Sequence, residues 1–169
     1  MTILKNIVIT KVFQKDIPKL KIVLQENIPE EDEVKLILSY LKGLKDRDGR
    51  IRKYFLAKSK TGKILGCMAY AKPDSDLKKY FKVYSKNSVE LLNCFVSKKH
   101  QGYGVGTNLF LKICDETKKQ NVEKLLVQSG PWYKTSWTFY DKVFDKCIGN
   151  FIGKYDGIAD AKVWVKFLK

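Results

Sequence analysis

Between Ser88 and Asn121 an apolar, β-rich run empties into a glycine-studded turn that opens an amphipathic helix, and this order constrains the chain more than any other feature. The turn reads Val96-Ser97-Lys98-Lys99-His100-Gln101-Gly102-Tyr103-Gly104-Val105-Gly106. Lacking a Cβ, Gly102, Gly104 and Gly106 can take unusual backbone angles and let a ligand approach the main chain. Unpaired N–H groups and the dipole at a helix start favour anions, so the segment has the makeup of a phosphate cradle. A Walker loop needs Lys and Ser or Thr after its last Gly, whereas Thr107-Asn108 follows Gly106. A dinucleotide fingerprint needs GxGxxG, and the spacing here is GxGxG. The plain alternative is a βαβ unit with a glycine-rich turn and no ligand. It leaves three glycines in five residues unexplained, since chain reversal needs fewer.

The flanking periodicities fix the elements. Ser88–Val96 reads as a buried strand. After the turn, Val105, Leu109 and Ile113 fall on one helical face with Phe110 and Cys114 at its flank, while Lys112, Asp115, Glu116 and Lys119 face away. Asn tolerates a left-handed cap, so the helix is expected to stop at Gln120-Asn121, with a strand over Val122–Val127. Upstream, Ile3–Phe13 reads as a first strand, and Asp16 as the cap of a helix whose stripe is Ile17, Leu20, Val23 and Leu24. Pro29 suits the first turn of a second helix, with Glu30-Glu31-Asp32-Glu33 complementing its dipole ahead of Val34, Ile37, Leu38 and Leu41. Arg52–Ser59 and Lys63–Lys72 form a hairpin about Lys60-Thr61-Gly62. Asp74–Asn87 reads as an irregular crossover with a short helix over Leu77, Tyr80 and Phe81. A helix over Lys134–Val143 and two strands complete the chain.

With 169 residues, 44% of them hydrophobic, and no linker or repeat, a single domain over 1–169 is expected. No apolar stretch has transmembrane length and the first residues lack a secretory apolar core, which makes a cytoplasmic protein without membrane contact the default. Cys67, Cys94, Cys114 and Cys147 are far apart and only one His is present, so they read as reduced core thiols and no metal site is expected. The formal net charge is +15, from 33 basic and 18 acidic residues. It suits phosphates or a polyanionic partner, but the lysines are spread along the chain and only Arg47, Arg50 and Arg52 are arginines, as in a solvated lysine-rich surface.

Read from Gln101, Gly104 and Gly106, the turn is QxxGxG, which resembles the acetyl-CoA pyrophosphate loop of the GCN5-related N-acetyltransferase (GNAT) superfamily. The element order and the last strand, after Tyr155-Asp156-Gly157, are similar to that fold along the whole chain. The resemblance implies an α+β (three-layer α/β) fold with a mixed, mostly antiparallel central sheet flanked by helices. It implies acetyl-CoA as acyl-donor co-substrate, no metal, and direct transfer of acetyl to a primary amine of a small molecule, peptide or protein. The pyrophosphate would lie on the N–H groups of Gln101, Gly102, Tyr103, Gly104, Val105, Gly106 and Thr107, and the carbonyl oxygen on those of Phe95 and Val96.

Such a transfer needs a proton acceptor, because an unperturbed amine near pKa 10.4 is almost wholly protonated at neutral pH. Glu90 stands where histone-type members carry a general-base glutamate, and burial in an apolar strand would raise its pKa; a solvated end-of-strand Glu is the alternative. Thr138-Phe139-Tyr140-Asp141-Lys142-Val143-Phe144 resembles the family's FYxKxGF helix, whose Tyr donates a proton to the departing thiolate, which makes Tyr140 the candidate acid. Core filling is the alternative there. Tyr133 and Ser136 replace the family's Asn and Ala, and Phe144 the Gly of its GF pair, which puts contacts from this loop in doubt and leaves Ser129 and Gly130 as weaker candidates. His100 reads as a loop residue near the phosphates, and Cys94 has no neighbouring base that would make it a nucleophile. The competing function is a non-catalytic basic module holding nucleic acid or an acidic partner; an acetyltransferase acting on charged tRNA lies between the two. The charge permits nucleic acid without requiring it, and a monomer or a homodimer fits equally.

Overall fold

Apolar spacing sets the helices in the computed structural model, which describes residues 6–80, 87–155, 157 and 159–168. Strand β1 (Val8–Lys11) precedes helix α1 (Ile17–Asn27), which buries the expected Ile17, Leu20, Val23 and Leu24. The strand is shorter than the predicted Ile3–Phe13; residues 3–5 lie outside the described residues, and Phe13 is exposed. Asp16 does not cap α1 through its side chain. Its carboxylate instead accepts the Phe13 N–H at 3.1 Å and meets Lys58 Nζ at 2.8 Å, fixing the turn ahead of the helix. Helix α2 (Glu31–Leu41) starts two residues after Pro29, which therefore lies outside its first turn; Glu31, Asp32 and Glu33 occupy that turn, and Val34 and Ile37 are buried.

Strands β2 (Lys53–Lys58) and β3 (Ile64–Ala71) form the expected hairpin, with an irregularity at Ala57/Lys58. All eight residues of β3 are buried, which explains its unbroken apolar sequence. Helix α3 (Ser75–Tyr80) follows; its Leu77 is buried, while the Tyr80 side chain and Phe81 lie outside the described residues. Then come β4 (Ser88–Val96), α4 (Val105–Lys118), β5 (Lys124–Ser129), α5 (Lys134–Val143), β6 (Lys146–Tyr155) and β7 (Ala159–Phe167). Asn121 has φ 57, the left-handed stop predicted after α4.

The seven strands are ordered β1-β2-β3-β4-β5-β7-β6. β4 pairs β5 in parallel, and the β1–β2, β2–β3, β5–β7 and β6–β7 ladders are antiparallel, so with the five α-helices among the described residues the chain has the mixed α+β architecture expected. A parallel neighbour requires a crossover, and α4 supplies it.

The chain divides into two compact units, Met1–Ala71 with Leu92–Asp115, and Lys72–Leu91 with Glu116–Lys169, so the division falls within β4 and within α4. In the first unit Leu20, Val23, Leu24 and Ile28 of α1 and the residue following it pack with Val34 and Ile37 of α2 on Leu56, Ile64 and Cys67. In the second, Leu77, Leu126, Val163 and Val165 form a core joined by Ile148 and Phe151. Cys67 and Cys114 are buried as expected and Cys94 is partly so, but Cys147 on β6 is exposed and is no core thiol; all four are free. Among the described residues no helix is long and apolar enough to cross a membrane.

Candidate active site

In the first unit the end of β4 offers main chain. Asn93 takes a left-handed conformation, φ 48, inside the strand. Its side-chain oxygen accepts from Arg52 Nη1 and from the Tyr54 hydroxyl, both at 2.7 Å. Burial pushes the Tyr54 hydroxyl well above its ordinary pKa, which keeps it a neutral donor. Beyond this kink the Ser97 N–H donates to Leu65 O at 2.9 Å and the Phe95 N–H faces the Cys67 thiol, so both are directed at β3. Alternation along a strand then directs the Val96 N–H to the opposite edge. On that edge the ladder to β5 ends, among the described residues, at Leu91↔Val127.

The glycine turn is anchored by the end of α1. Gln101 Nε2 donates to Val96 O at 3.2 Å and to Asn27 Oδ1 at 3.3 Å, and Asn27 Nδ2 also reaches Val96 O at 3.2 Å. The Lys98 N–H donates to Glu26 Oε2 at 2.9 Å. Partial burial pushes the Glu26 carboxyl up, but the Lys98 N–H, the Ser97 hydroxyl and the nearby Lys99 outweigh it and hold the group below the usual range. The Gln101 amide thus braces the turn, and what this residue has left to offer a ligand is its main chain.

Gly102 and Gly104 have φ 79 and 84, a region that L side chains rarely enter, whereas Gly106 lies within α4 without positive φ. The Asn108 N–H and Nδ2 both go to Gly104 O, at 3.0 and 2.8 Å. The N–H groups of residues 102–107, ahead of it, have no main-chain acceptor among the described residues. The Val105 side chain is buried and secures the helix start, while Gln101, Gly102 and Tyr103 are exposed. His100 lines a cleft of about 310 Å3 with Ser59, Lys60, Thr61 and Lys63.

The second unit holds Glu90 and Tyr140. Glu90 is fully buried in the first half of β4; its Oε2 accepts the Asp74 N–H at 2.9 Å and its Oε1 accepts Gln128 Nε2 at 2.7 Å. Asp74 in turn meets Lys154 Nζ at 2.9 Å and accepts the Asp76 and Leu77 N–H groups. Burial pushes the Asp74 carboxyl up, yet the Lys154 ammonium and those N–H groups outweigh it and hold the carboxyl below its ordinary range. Tyr140 is 6% exposed, with ring centroids 5.2 Å from Trp164 and 6.0 Å from Phe144. The neighbouring Asp141 accepts Trp164 Nε1 at 2.7 Å, which fixes α5 against β7. Ser129 Oγ accepts Trp137 Nε1 at 3.2 Å, Ser136 Oγ donates to Tyr133 O at 2.7 Å, and Gly130 lies so close under Tyr155 and Trp132 that a Cβ would clash.

The sequence matches the acetyltransferase (GNAT) family over residues 20–145, a span that includes the kinked strand, the turn and the helix it opens. The chain belongs to this family. Solved structures agree at the level of fold. A GNAT-family acetyltransferase from Staphylococcus aureus Mu50 aligns with TM-score 0.67 at 19% identity over 96% of this chain and 99% of its own. The aminoglycoside 6'-N-acetyltransferase in complex with coenzyme A gives 0.72 at 12% identity, covering 96% and 97%. The ribosomal-protein-S18-alanine N-acetyltransferase of Escherichia coli gives 0.65 at 17%, covering 96% and 94%. No curated protein sequence matches the chain.

As a GNAT acetyltransferase the protein is an acyltransferase, and in each unit the candidate groups are ordered by polar side chains to which the sequence alone assigns no individual role. Asn27, Asp74, Asn93 and Gln128 act through partners distant in sequence. Asn93 and Gln128 did leave a signal, since each is a lone amide in an otherwise apolar run, Leu-Leu-Asn-Cys-Phe and Leu-Leu-Val-Gln.

Proposed function

We propose that the protein is an acetyl-CoA-dependent N-acetyltransferase that transfers acetyl directly to a primary amine of a small molecule, peptide or protein. The observation that carries this reading is the fan of N–H groups at residues 102–107, without main-chain acceptors among the described residues and aimed from a helix start. The diphosphate of the donor supplies the acceptors such a fan lacks. The coenzyme A complex of the aminoglycoside-acetylating relative supports the same donor class.

Each group then has one task. The N–H groups from Gln101 through Thr107 hold the diphosphate, with the Gln101 side chain keeping the turn in shape. The Val96 N–H takes the developing charge on the carbonyl oxygen; the Phe95 N–H, facing Cys67, contributes through the strand geometry. The amine nitrogen attacks the thioester carbon, the C–S bond breaks, the Tyr140 hydroxyl protonates the leaving thiolate and Glu90 takes the amine proton. Because Glu90 has no exposed surface and both its oxygens already accept N–H groups, the proton reaches it through an intervening solvent molecule. Burial pushes the Cys94 thiol up to about 12, which argues against a thiolate and so against an acyl-enzyme.

Replacing Glu90 tests the proton step. Glu90→Gln is expected to lower turnover about 10²-fold at neutral pH and to flatten the alkaline rise of the rate. Unchanged turnover removes Glu90 from the mechanism. Polyamines, amino sugars, aminoglycosides and peptide N-termini are the acceptors to screen by thiol release from acetyl-CoA.

A further inference from the structure

Gln128 is oriented by its neighbour. The amide nitrogen of Gln128 donates to Glu90 Oε1 at 2.7 Å, which turns the amide oxygen away from the carboxylate. That oxygen is buried and has no hydrogen-bond partner. Native interiors seldom leave such an acceptor unpaired. The nearby donors are committed: the Asp74 N–H serves Glu90 Oε2 and Lys154 Nζ serves Asp74 Oδ2.

We infer that Gln128 holds the acceptor, its Oε1 receiving an N–H of the attacking amine. This rests on the acetyltransferase reading above. The contact sets the nitrogen within one solvent molecule of the carboxylate that takes its proton, while the amide itself transfers none. It also selects among amines. A neutral primary amine brings two hydrogens; attack makes it cationic, one proton leaves, and the other remains as the N–H of the product amide. Oε1 binds the hydrogen that stays. A secondary amine keeps no hydrogen after transfer, and an alcohol keeps none either, so both lose this contact in the product-like stage of the reaction.

The test uses the full chain and the best acceptor from the thiol-release screen. Gln128→Met keeps length and removes both polar atoms. It is expected to lower kcat/KM for the amine tenfold or more and to narrow the preference for a primary amine over its N-methyl counterpart. The rise in melting temperature caused by acetyl-CoA stays as in the wild type. Gln128→Glu returns an acceptor oxygen. Two carboxylates this close cannot both ionise, so they share a proton, kcat/KM recovers to within about threefold of the wild type, and the pH–rate profile moves to higher pH. An unchanged amine kcat/KM in Gln128→Met, or a loss confined to acetyl-CoA binding, overturns the inference. Should Gln128→Met fail to fold, Gln128→Glu decides alone: the recovered kcat/KM with a displaced pH profile supports the contact, and an unmoved profile overturns it. A wild type that binds acetyl-CoA but releases thiol with no amine fails the acetyltransferase reading itself, and the inference with it.

Discussion

Tyr140 sits in an aromatic setting, with Trp164 and Phe144 against its ring, so its packing and its hydroxyl can be separated by one substitution. Tyr140→Phe retains the packing and removes only the proton. Turnover is expected to fall about 10²-fold with the melting temperature and acetyl-CoA affinity nearly unchanged, and undiminished turnover would make the residue core filling alone. Glu90 poses the converse problem, since its burial is complete and its partners are known. That a carboxylate lay inside an apolar strand could be read from Val-Glu-Leu-Leu. Which groups satisfy it could not, because Gln128 comes beside it through the β4–β5 register, Glu90↔Leu126, and Asp74 through the segment between β3 and α3. The same holds for Gln101: its QxxGxG position was legible, but that its side chain braces Val96 and Asn27 follows from where α1 ends.

At the scale of elements the turn between β4 and α4 was the most legible part of the chain, because glycine spacing is a local signal. Its three glycines nevertheless differ. Gly102 and Gly104 adopt positive φ and Gly106 is helical, a distinction that spacing does not encode. Gly104→Ala is expected to cost about 1–2 kcal/mol in backbone strain, lowering the melting temperature by roughly 2–8 °C. It should also weaken acetyl-CoA binding, as the N–H groups on either side are displaced; a variant with wild-type melting and affinity would show that the turn tolerates other geometries. Helices α1 and α4 bury the apolar stripes legible in their sequences. Element ends were less legible. Asp16 has the residue type and position of a helix cap, but Lys58 on β2 draws its carboxylate to a different task.

Over the whole molecule, buried carboxylates set the response to acid. Burial pushes Asp16, Asp46 and Asp74 up, but Lys58, Arg50 and Lys154 with neighbouring N–H groups outweigh it, so each sits below its ordinary pKa. A depressed folded pKa contributes stability that is fully present above the unfolded value, about 3.9, and is lost as pH falls through the folded one. The melting temperature is therefore expected to hold between about pH 7 and 5 and to fall below about pH 4. Asp46→Asn, which removes a buried carboxylate paired with Arg50 and Arg52, should destabilise at pH 7 and make the acid decline shallower. An unaltered decline would place the acid response elsewhere.

The most direct measurement is amide NMR during titration with coenzyme A. The account predicts the largest shift changes on the N–H resonances of residues 102–107 as they take up the diphosphate oxygens. If coenzyme A binds while those resonances stay where they were, the turn is not its cradle and the account is contradicted.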